Sequence, residues 1–460
     1  MAALGIPDAA LKNLRAGLAG EAITPDDPGY EEAREIFNAM IEKRPAVIVQ
    51  CRSSDDAAQT IRFARHLDRE IAVRCGGHSV AGMALTDGGV VIDLRRMNGV
   101  TVDRDGLVAR VGGGATIGDL DRATQPFHLV TTGGRASTIG LGGFVLGGGS
   151  GWIEREFGLA CDNLMEVQLV TAEGRFVRAS ETENPELFWA LHGGGGNFGV
   201  ATWLTLRLHA IPAFSIALLL FAPEAGADAL YAYREFIGRA PDEIGGGLIH
   251  LTAPDEEFVP RHMAGKLTCA VLVTYIGTEN EIREVAAPML GLGHQGELIT
   301  QLPYADLQCM LDDPPGYRNY CSAEYVVGMP DELVQRFSAR AADMIVPSRS
   351  RHALFPMGGQ VARGDDRYPV PWRRAPWAVH PFGLWARPED DVRGKQWVRD
   401  VRADAAPWSS GAVHLNFIGR EGQERVVAGL GEENYQRLVA VKTEYDPDNV
   451  FHLNHNIKPA

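Results

Sequence analysis

The chain is arranged around the stretch Arg74-Cys75-Gly76-Gly77-His78-Ser79, which directly follows the apolar residues 71–73, and these predict a short strand. Two adjacent glycines let the backbone approach a bulky ligand closely, and their successive N–H groups can form a concave anion-binding site. A histidine on such a loop can contact whatever the loop holds. Considered alone, the hexapeptide is explained equally well by a surface turn with an incidental histidine.

The segments before this loop favour a binding function over a surface turn. Residues 46–49 predict a strand, and residues 53–67 predict a helix that begins with the polar cap Ser53-Ser54-Asp55-Asp56. Together with residues 71–73 they form a βαβ unit. Ligands of such sheets bind at the carboxyl ends of the strands, which is where the histidine loop lies.

A second glycine-rich segment, residues 131–151, predicts a packed ligand cradle. So many glycines cannot form the interior of a regular helix or strand without a large entropic cost. A flexible linker is the alternative, but Ile139, Phe144 and Leu146 make the segment too apolar for a Gly/Ser linker. The glycines are Gly133, Gly134, Gly140, Gly142, Gly143, Gly147, Gly148, Gly149 and Gly151.

A third glycine segment, residues 193–199, contains the spacing G-x-G-x-x-G. A dinucleotide fingerprint follows a strand and begins a helix, whereas here a predicted helix precedes the segment and a predicted strand follows it. We therefore reject an NAD site and keep the weaker inference that this backbone lies against a ligand. Beyond Pro212 the glycine runs become sparser and strand-like and helical segments alternate, which indicates a domain boundary near residue 212.

The composition limits the class of partner. The chain has 460 residues, 45% hydrophobic content and a net charge of −15, so it is globular and lacks the basic clusters that nucleic acid or an anionic membrane requires. Residues 1–22 do not form a signal peptide, and the longest apolar run, residues 216–222, is too short to cross a bilayer. The six cysteines show no metal-binding spacing, so we expect no metal and a reducing, cytoplasmic location.

Several motifs, in this order along the chain, resemble the vanillyl-alcohol-oxidase and p-cresol-methylhydroxylase type of flavoprotein, in particular its berberine-bridge-enzyme-like branch. The histidine loop at residues 74–79 is the first of them. The others are Gly140-Leu141-Gly142-Gly143, Arg155-Glu156-Phe157-Gly158-Leu159-Ala160-Cys161-Asp162-Asn163, Asn184-Pro185-Glu186-Leu187-Phe188-Trp189-Ala190-Leu191, Gly195-Gly196-Asn197-Phe198-Gly199-Val200 and Tyr445-Asp446-Pro447-Asp448-Asn449-Val450-Phe451 with Leu453-Asn454-His455-Asn456-Ile457.

The resemblance implies an α+β fold with a two-part FAD-binding domain. Its βαβ-containing N-terminal part would comprise residues 1–211, and residues 411–460 would complete it. An inserted substrate-binding domain, residues 212–410, would form an antiparallel-sheet roof over the flavin ring.

The resemblance also implies that FAD is attached covalently through His78, as in bacterial members with a single tether. The second tether of many members is a cysteine, and its position here is Ala136; Cys161 is a weaker alternative. Arg74 would help to neutralise the pyrophosphate, or would be an ordinary surface arginine. The expected cofactor-binding residues are Arg74, Cys75, Gly76, Gly77, His78, Ser79, Gly134, Ile139, Gly140, Gly142, Gly143, Gly147, Gly149, Val200, Asn454 and Asn456.

The catalytic base is less clearly indicated. Members of the branch often carry Tyr-x-Asn-Tyr before the last segment, whereas this chain has His414-Leu415-Asn416-Phe417. His414 could replace the tyrosine as general base, or it could be a structural histidine in a strand. The other groups that could line a substrate roof are His250, Tyr325, His352, Trp377 and His380, although ordinary core placement is favoured for each.

The resulting hypothesis is an FAD-dependent oxidase. A hydride would pass from a small organic substrate to the flavin, and dioxygen would reoxidise it. The substrate could be a natural-product intermediate, an alcohol, a sugar or an amine. The alternatives are a flavin-dependent oxygenase of a polyketide-like substrate, a dehydrogenase with a protein acceptor, and a non-catalytic flavin-binding protein.

Overall fold

A computed structural model describes residues 5–364 and 368–460, and within them the chain forms nineteen strands and sixteen α-helices. The strands are β1 (Glu21–Ile23), β2 (Val47–Gln50), β3 (Ile71–Arg74), β4 (Val90–Asp93), β5 (Val100–Asp103), β6 (Val108–Gly112), β7 (Leu129–Val130), β8 (Leu164–Val170), β9 (Phe176–Ser180), β10 (Val200–Arg207), β11 (His209–Ala210), β12 (Ser215–Phe221), β13 (Ile244–Thr252), β14 (Leu267–Tyr275), β15 (Gly296–Gln301), β16 (Arg318–Cys321), β17 (Glu324–Val326), β18 (Arg351–Pro356) and β19 (Trp377–Trp385). The helices are α1 (Asp8–Gly17), α2 (Tyr30–Arg34), α3 (Ser54–His66), α4 (Ile117–Thr124), α5 (Leu141–Leu146), α6 (Glu154–Phe157), α7 (Pro185–Ala190), α8 (Gly226–Ile237), α9 (Glu279–Val285), α10 (Ala287–Leu290), α11 (Tyr304–Met310), α12 (Asp331–Arg340), α13 (Gly359–Arg363), α14 (Asp391–Ala405), α15 (Gln423–Leu430) and α16 (Glu432–Tyr445).

The predicted βαβ unit is present in a four-stranded sheet. Its strand order is β1-β2-β4-β3, and β2 and β3 both run parallel to the central strand β4. The connecting helix α3 begins with a capping box in which Ser53 and Asp56 exchange hydrogen bonds between side chain and backbone. The histidine loop therefore leaves the carboxyl end of β3, as the sequence predicts.

One predicted helix is much shorter in the structure. The apolar spacing over residues 30–44 predicts a helix, but α2 ends at Arg34 and Glu35 is extended. The chain instead turns so that the Phe37 ring stacks on the His78 imidazole, with ring centroids 4.4 Å apart. This tertiary contact replaces the continuation of the helix.

A five-stranded antiparallel sheet follows, with the order β5-β6-β10-β8-β9. Strands β8 and β9 form a hairpin in this sheet, in which Val170 pairs with Phe176 next to the turn. The third glycine segment ends at β10, the central strand of this sheet, and so the strand predicted over residues 200–208 is also present.

The largest sheet has eight antiparallel strands. Seven of them follow the order β15-β12-β14-β13-β18-β19-β16, and β17 pairs with β19. One face packs against α8, α12 and α14, where Leu248, Leu354 and Val379 join Phe337 and Trp397 in a buried core. The other face is turned toward the glycine segments. The structure thus confirms the α+β fold class and the antiparallel-sheet roof.

The C-terminal segment returns to the N-terminal half of the chain. α16 packs on α7, and the buried Lys442 donates hydrogen bonds to Asn197 O (2.8 Å), Phe451 O (3.0 Å) and Asp446 Oδ2 (2.6 Å). These bonds fasten the closing motif to the third glycine segment. The boundaries near residues 212 and 410 stay predictions, although the strands of the large sheet all lie between Ser215 and Trp385. No helix within the described ranges has the length and apolar character needed to cross a bilayer.

Candidate functional site

A large cavity separates the glycine segments from the inner face of the eight-stranded sheet. The space between its walls amounts to about 2250 Å³, part of it open to solvent. The sequence-predicted residues that line it are Cys75, Gly76, Gly77, His78, Ser79, Gly134, Ile139, Gly140, Gly142, Gly143, Gly147 and Asn454. Residues distant in sequence thus surround one space, and the histidine loop forms part of its wall.

The histidine loop is held by close backbone packing. Gly77 has a φ of +75°, a conformation that favours glycine, and a Cβ on Gly76 would collide with the backbone nitrogen of Gly140. Burial lowers the pKa of His78 to about 4, so its imidazole is neutral at pH 7. Stacking on Phe37 orients the ring, and the loop therefore presents a neutral imidazole at the cavity wall.

Other glycines of the cavity have no protein atoms in front of them. A Cβ added at Gly143, Gly195 or Gly196 would meet no atom within 4 Å, so these backbones border free space. The buried Oδ1 of Asn454 has no hydrogen-bond partner among the described residues. An open, side-chain-free wall beside an unpaired acceptor fits a bulky, flat and polar cofactor such as FAD.

Four predicted cofactor contacts lie outside this cavity. Arg74 is buried, and it donates hydrogen bonds to the carbonyl oxygens of Ala33 and Glu35 instead of facing a phosphate. Gly149 and Val200 pack into the protein behind the wall, and Asn456 lies on the chain beyond Asn454 without reaching the cavity. We therefore correct the expectation that Arg74 neutralises the pyrophosphate: its role is to hold the segment after α2.

The two candidate tether positions other than His78 differ from it. Ala136 lines the cavity but has no nucleophilic atom. Cys161 is fully buried and its N–H donates to Gly148 O, so it packs behind the glycine wall. Burial raises the pKa of the Cys161 thiol, and burial also raises that of Cys75 to about 11. Neither thiol has the thiolate character of a reactive cysteine.

His414 does not occupy the position of a catalytic base. Its side chain is fully buried, stacks on Trp372 with centroids 4.6 Å apart, and accepts a hydrogen bond at Nε2 from the Gly149 N–H (3.4 Å). Burial lowers the pKa of His414 to about 3. The structure thus supports the alternative that His414 is a structural histidine, because the lone pair of Nε2 accepts the hydrogen bond from Gly149 behind the glycine segments.

His380 is the imidazole that faces the cavity from the sheet. It lies on β19 opposite Ala353 of β18, and its ring stacks on Phe417 with centroids 4.2 Å apart. Nδ1 lies 2.9 Å from Ser322 O, and since a carbonyl only accepts, Nδ1 carries the proton. Nε2 is therefore unprotonated, and it has no hydrogen-bond partner in the described ranges. Burial lowers the pKa of His380 to about 4, so a free base faces the cavity at pH 7.

Strand alternation explains which candidate roof residues face the cavity and which lie in the core, the placement that the sequence analysis favoured. His250 pairs with His352 across β13 and β18, and both side chains point to the outer core, where His352 stacks on Phe337 at 3.8 Å. Trp377 belongs to the same outer core, and Tyr325 is buried beside Trp372. None of the four lines the cavity. Alternation from Trp377 and Val379 was the signal that could have assigned His380 to the opposite face.

The buried pair His250 and His352 makes stability depend on pH. Burial lowers the pKa of His250 to about 4, and burial also lowers that of His352 well below its usual value of 6.5. The unfolded chain therefore binds protons at these sites below about pH 6.5, where the folded chain does not. We expect the contribution of these histidines to the free energy of unfolding to be fully present above pH 6.5. The free energy of unfolding should decrease as the pH falls toward 4, by about 3 kcal/mol for His250 alone.

Urea unfolding of the H250L variant between about pH 4 and pH 8 measures this contribution. The variant should lose part of the pH dependence, whereas H66L, which changes an exposed histidine of α3, should keep the wild-type slope. An unchanged slope in H250L would contradict the assignment.

Comparison with known proteins gives two family matches. Residues 45–180 match a family model described as an FAD binding domain, and residues 427–458 match one described as berberine and berberine like. The two matched segments contain the histidine loop and the closing motif. They also include the second glycine segment, residues 131–151, and helix α16.

The chain is similar over nearly its whole length to (R)-6-hydroxynicotine oxidase from Paenarthrobacter nicotinovorans. The two are 31% identical over 454 residues, which cover 96% of this chain and 97% of that protein. The crystal structure of 6-hydroxy-D-nicotine oxidase from Arthrobacter nicotinovorans superposes with a TM-score of 0.86 at 29% identity, covering 96% of this chain and 98% of that one. Berberine bridge enzyme from Eschscholzia californica shares the fold, with a TM-score of 0.85, 21% identity and coverage of 98% and 99%.

Proposed function

Because the chain belongs to the berberine-bridge-enzyme-like family of FAD-linked oxidoreductases, we propose that it is an oxidase that carries FAD on His78 and uses His380 as its base. Bound FAD would supply the acceptor for a hydride from a carbon of a small organic substrate, with dioxygen as the final electron acceptor. The observation that carries this proposal is the position of two neutral imidazoles, His78 and His380, on the wall of the same cavity.

The glycine segments provide the surface on which the cofactor would lie. Gly143, Gly195 and Gly196 border free space, and Asn454 offers an unpaired acceptor. When bound, FAD supplies a two-electron acceptor for a substrate C–H bond and passes the electrons to dioxygen. The Lys442 and Asp446 pair keeps the third glycine segment and the closing motif together, so the two parts of the surface hold their relative position.

His78 would hold the FAD through a covalent bond to its imidazole. The low pKa keeps a nitrogen lone pair available at neutral pH, and the stack on Phe37 limits the ring to one orientation. No other nucleophile of the predicted set fits as well: the Cys161 thiol is buried behind the wall, and the half-buried Cys75 thiol has a raised pKa, so both are protonated at pH 7.

His380 would accept the proton that leaves the substrate. The Ser322 carbonyl sets the tautomer with Nε2 unprotonated, and stacking on Phe417 fixes the ring plane. The ring needs no rearrangement before it accepts a proton from a hydroxyl or amine group at its edge. The apolar neighbours Ile249, Ala353 and Phe355 limit the access of water to this part of the cavity.

The test begins with the purified protein and a panel of alcohols, sugars, phenols and amines. A substrate should bleach the flavin absorbance under anaerobic conditions, and air should restore it with one peroxide released for each product formed. Oxygen-18 from labelled dioxygen in the product would indicate an oxygenase instead. Slow recovery in air would indicate a dehydrogenase, and the absence of bleaching by the whole panel would support a non-catalytic flavin-binding protein.

A further inference from the structure

The lining of the cavity contains more cationic than anionic side chains. Among the described residues that line it, the cationic side chains are Arg135 and Arg351, and the one carboxylate is Asp313. A group that enters the cavity therefore meets two guanidinium groups and one carboxylate. Whether these charges are free or compensated decides which ligand charge the cavity accepts.

The carboxylate is fully engaged. Arg351 donates two hydrogen bonds to Asp313, of 2.8 and 3.0 Å, and Arg349 approaches the same carboxylate at 3.5 Å. The Asp313 side chain is 3% exposed, whereas that of Arg351 is 17% exposed. A substrate ammonium would find no unpaired carboxylate here, because both oxygens of Asp313 already accept from arginine.

Arg135 lies between Glu154, its ion-pair partner, and the cavity. It forms an ion pair with Glu154 at 3.0 Å, and its side chain is 12% exposed while that of Glu154 is 2% exposed. The guanidinium lies 3.8 Å over the Phe355 ring, and its Nε has no hydrogen-bond partner among the described residues. Of this pair only Arg135 lines the cavity, whereas Arg351 and Asp313 both line it and Arg351 is the more exposed of the two.

The remaining walls on this side are apolar and aromatic. The rings of Phe355, Phe382 and Phe417 line the space together with Ile249 and Leu311. Flat aromatic walls favour a flat apolar ligand body, since such rings pack well in stacked or edge-on contact. The basic imidazole of His380 lies among these rings.

We propose that the substrate of this enzyme is an aromatic compound with a carboxylate or an acidic hydroxyl group, and that cationic amines are excluded. The proposal rests on the oxidase function proposed above. The aromatic body lies between the phenylalanine rings, the negatively charged or acidic oxygen faces Arg135, and a second ionisable group can give its proton to His380. An ammonium group is disfavoured because Arg135 and Arg351 repel it and Asp313 is already paired.

Three probes of similar shape and different charge test this inference. Benzoate, benzyl alcohol and benzylammonium are titrated into the purified holoenzyme by isothermal calorimetry, with phenol as a fourth probe that separates a carboxylate from an acidic hydroxyl. We expect benzoate or phenol to bind best, and benzylammonium to bind at least about tenfold more weakly. Equal or tighter binding of benzylammonium, or no binding of benzoate and phenol at millimolar concentrations, would overturn the proposal.

Variants assign the preference to Arg135. The R135M/E154Q double variant removes the ion pair without leaving a buried charge, and it should weaken benzoate binding about tenfold while benzyl alcohol binding changes little. R135K should keep part of the preference, and R122M, at an exposed arginine of α4, should bind all probes as the wild type does. A double variant that folds and binds benzoate normally would contradict the role of Arg135.

The same samples separate this inference from the proposed function. Calorimetry measures ligand preference whether or not flavin is attached, whereas the absorbance spectrum reports the flavin. A colourless protein would refute the proposed function. A yellow protein that prefers benzylammonium would refute only the substrate class.

Discussion

The His78→Ala variant is expected to contain no covalently attached flavin. Wild-type protein should have the mass of the polypeptide plus one FAD less the two hydrogens lost when the bond forms and the flavin is reoxidised, and acid precipitation should leave the flavin in the pellet. In the variant the alanine has no nitrogen to form the bond, so any bound flavin should appear in the supernatant. Intact mass spectrometry and the absorbance of both fractions measure this difference.

The Cys75→Ala and Cys161→Ala variants are the matched controls for this experiment. Both thiols have a raised pKa and neither has the environment of a reactive cysteine, so both variants should keep the attached flavin. Mass loss in either cysteine variant, or retention of attached flavin in H78A, would assign the tether to another side chain. Release of flavin from the wild type would show that the cofactor is held by non-covalent contacts alone.

The His380→Ala variant is expected to keep its flavin and to lose about 10²- to 10⁴-fold in the rate constant of flavin reduction, the usual contribution of a general base. The reason is that His380 Nε2 is the unprotonated imidazole nitrogen that faces the substrate side. Anaerobic stopped-flow measurement with the best substrate from the panel separates this rate constant from substrate affinity.

The pH profile gives a second readout for His380. Its neutral form is the active one, so the wild-type rate constant should fall only as the pH drops toward 4, and the variant should lack this fall. Added imidazole should restore part of the rate in H380A, because the substitution leaves space for it at the cavity wall.

The His414→Ala variant distinguishes the two candidate bases. His414 packs on Trp372 behind the glycine wall, so its removal should lower the thermal stability and leave flavin reduction close to the wild-type rate. A large loss of reduction rate in H414A together with a normal rate in H380A would reverse the assignment.

Local patterns in the sequence were sufficient for the architecture near the cofactor. Glycine pairs after a short apolar strand and a capped helix before it predicted the βαβ unit. The α+β class and the antiparallel roof were implied by the resemblance of the motifs, including the closing one, to a flavoprotein family. The glycine pairs, the strand and the helix cap are each defined by residues close together in the sequence, so they can be recognised in a single sequence. The helix predicted over residues 30–44 failed because the contact of Phe37 with His78 is not local.

The substrate side could not be predicted in the same way. Arg135, Arg351 and His380 belong to three distant segments, and their meeting depends on the order and register of β18 and β19. A shift of one residue in that register would replace His380 by Val379, or Ala353 by His352, at the cavity wall. Glycine spacing is a local property, so the sequence alone indicated which backbone segments, free of side chains, could lie against a cofactor. Only the tertiary structure decided which imidazole and which guanidinium groups face that space, because strand pairing sets the face of each side chain.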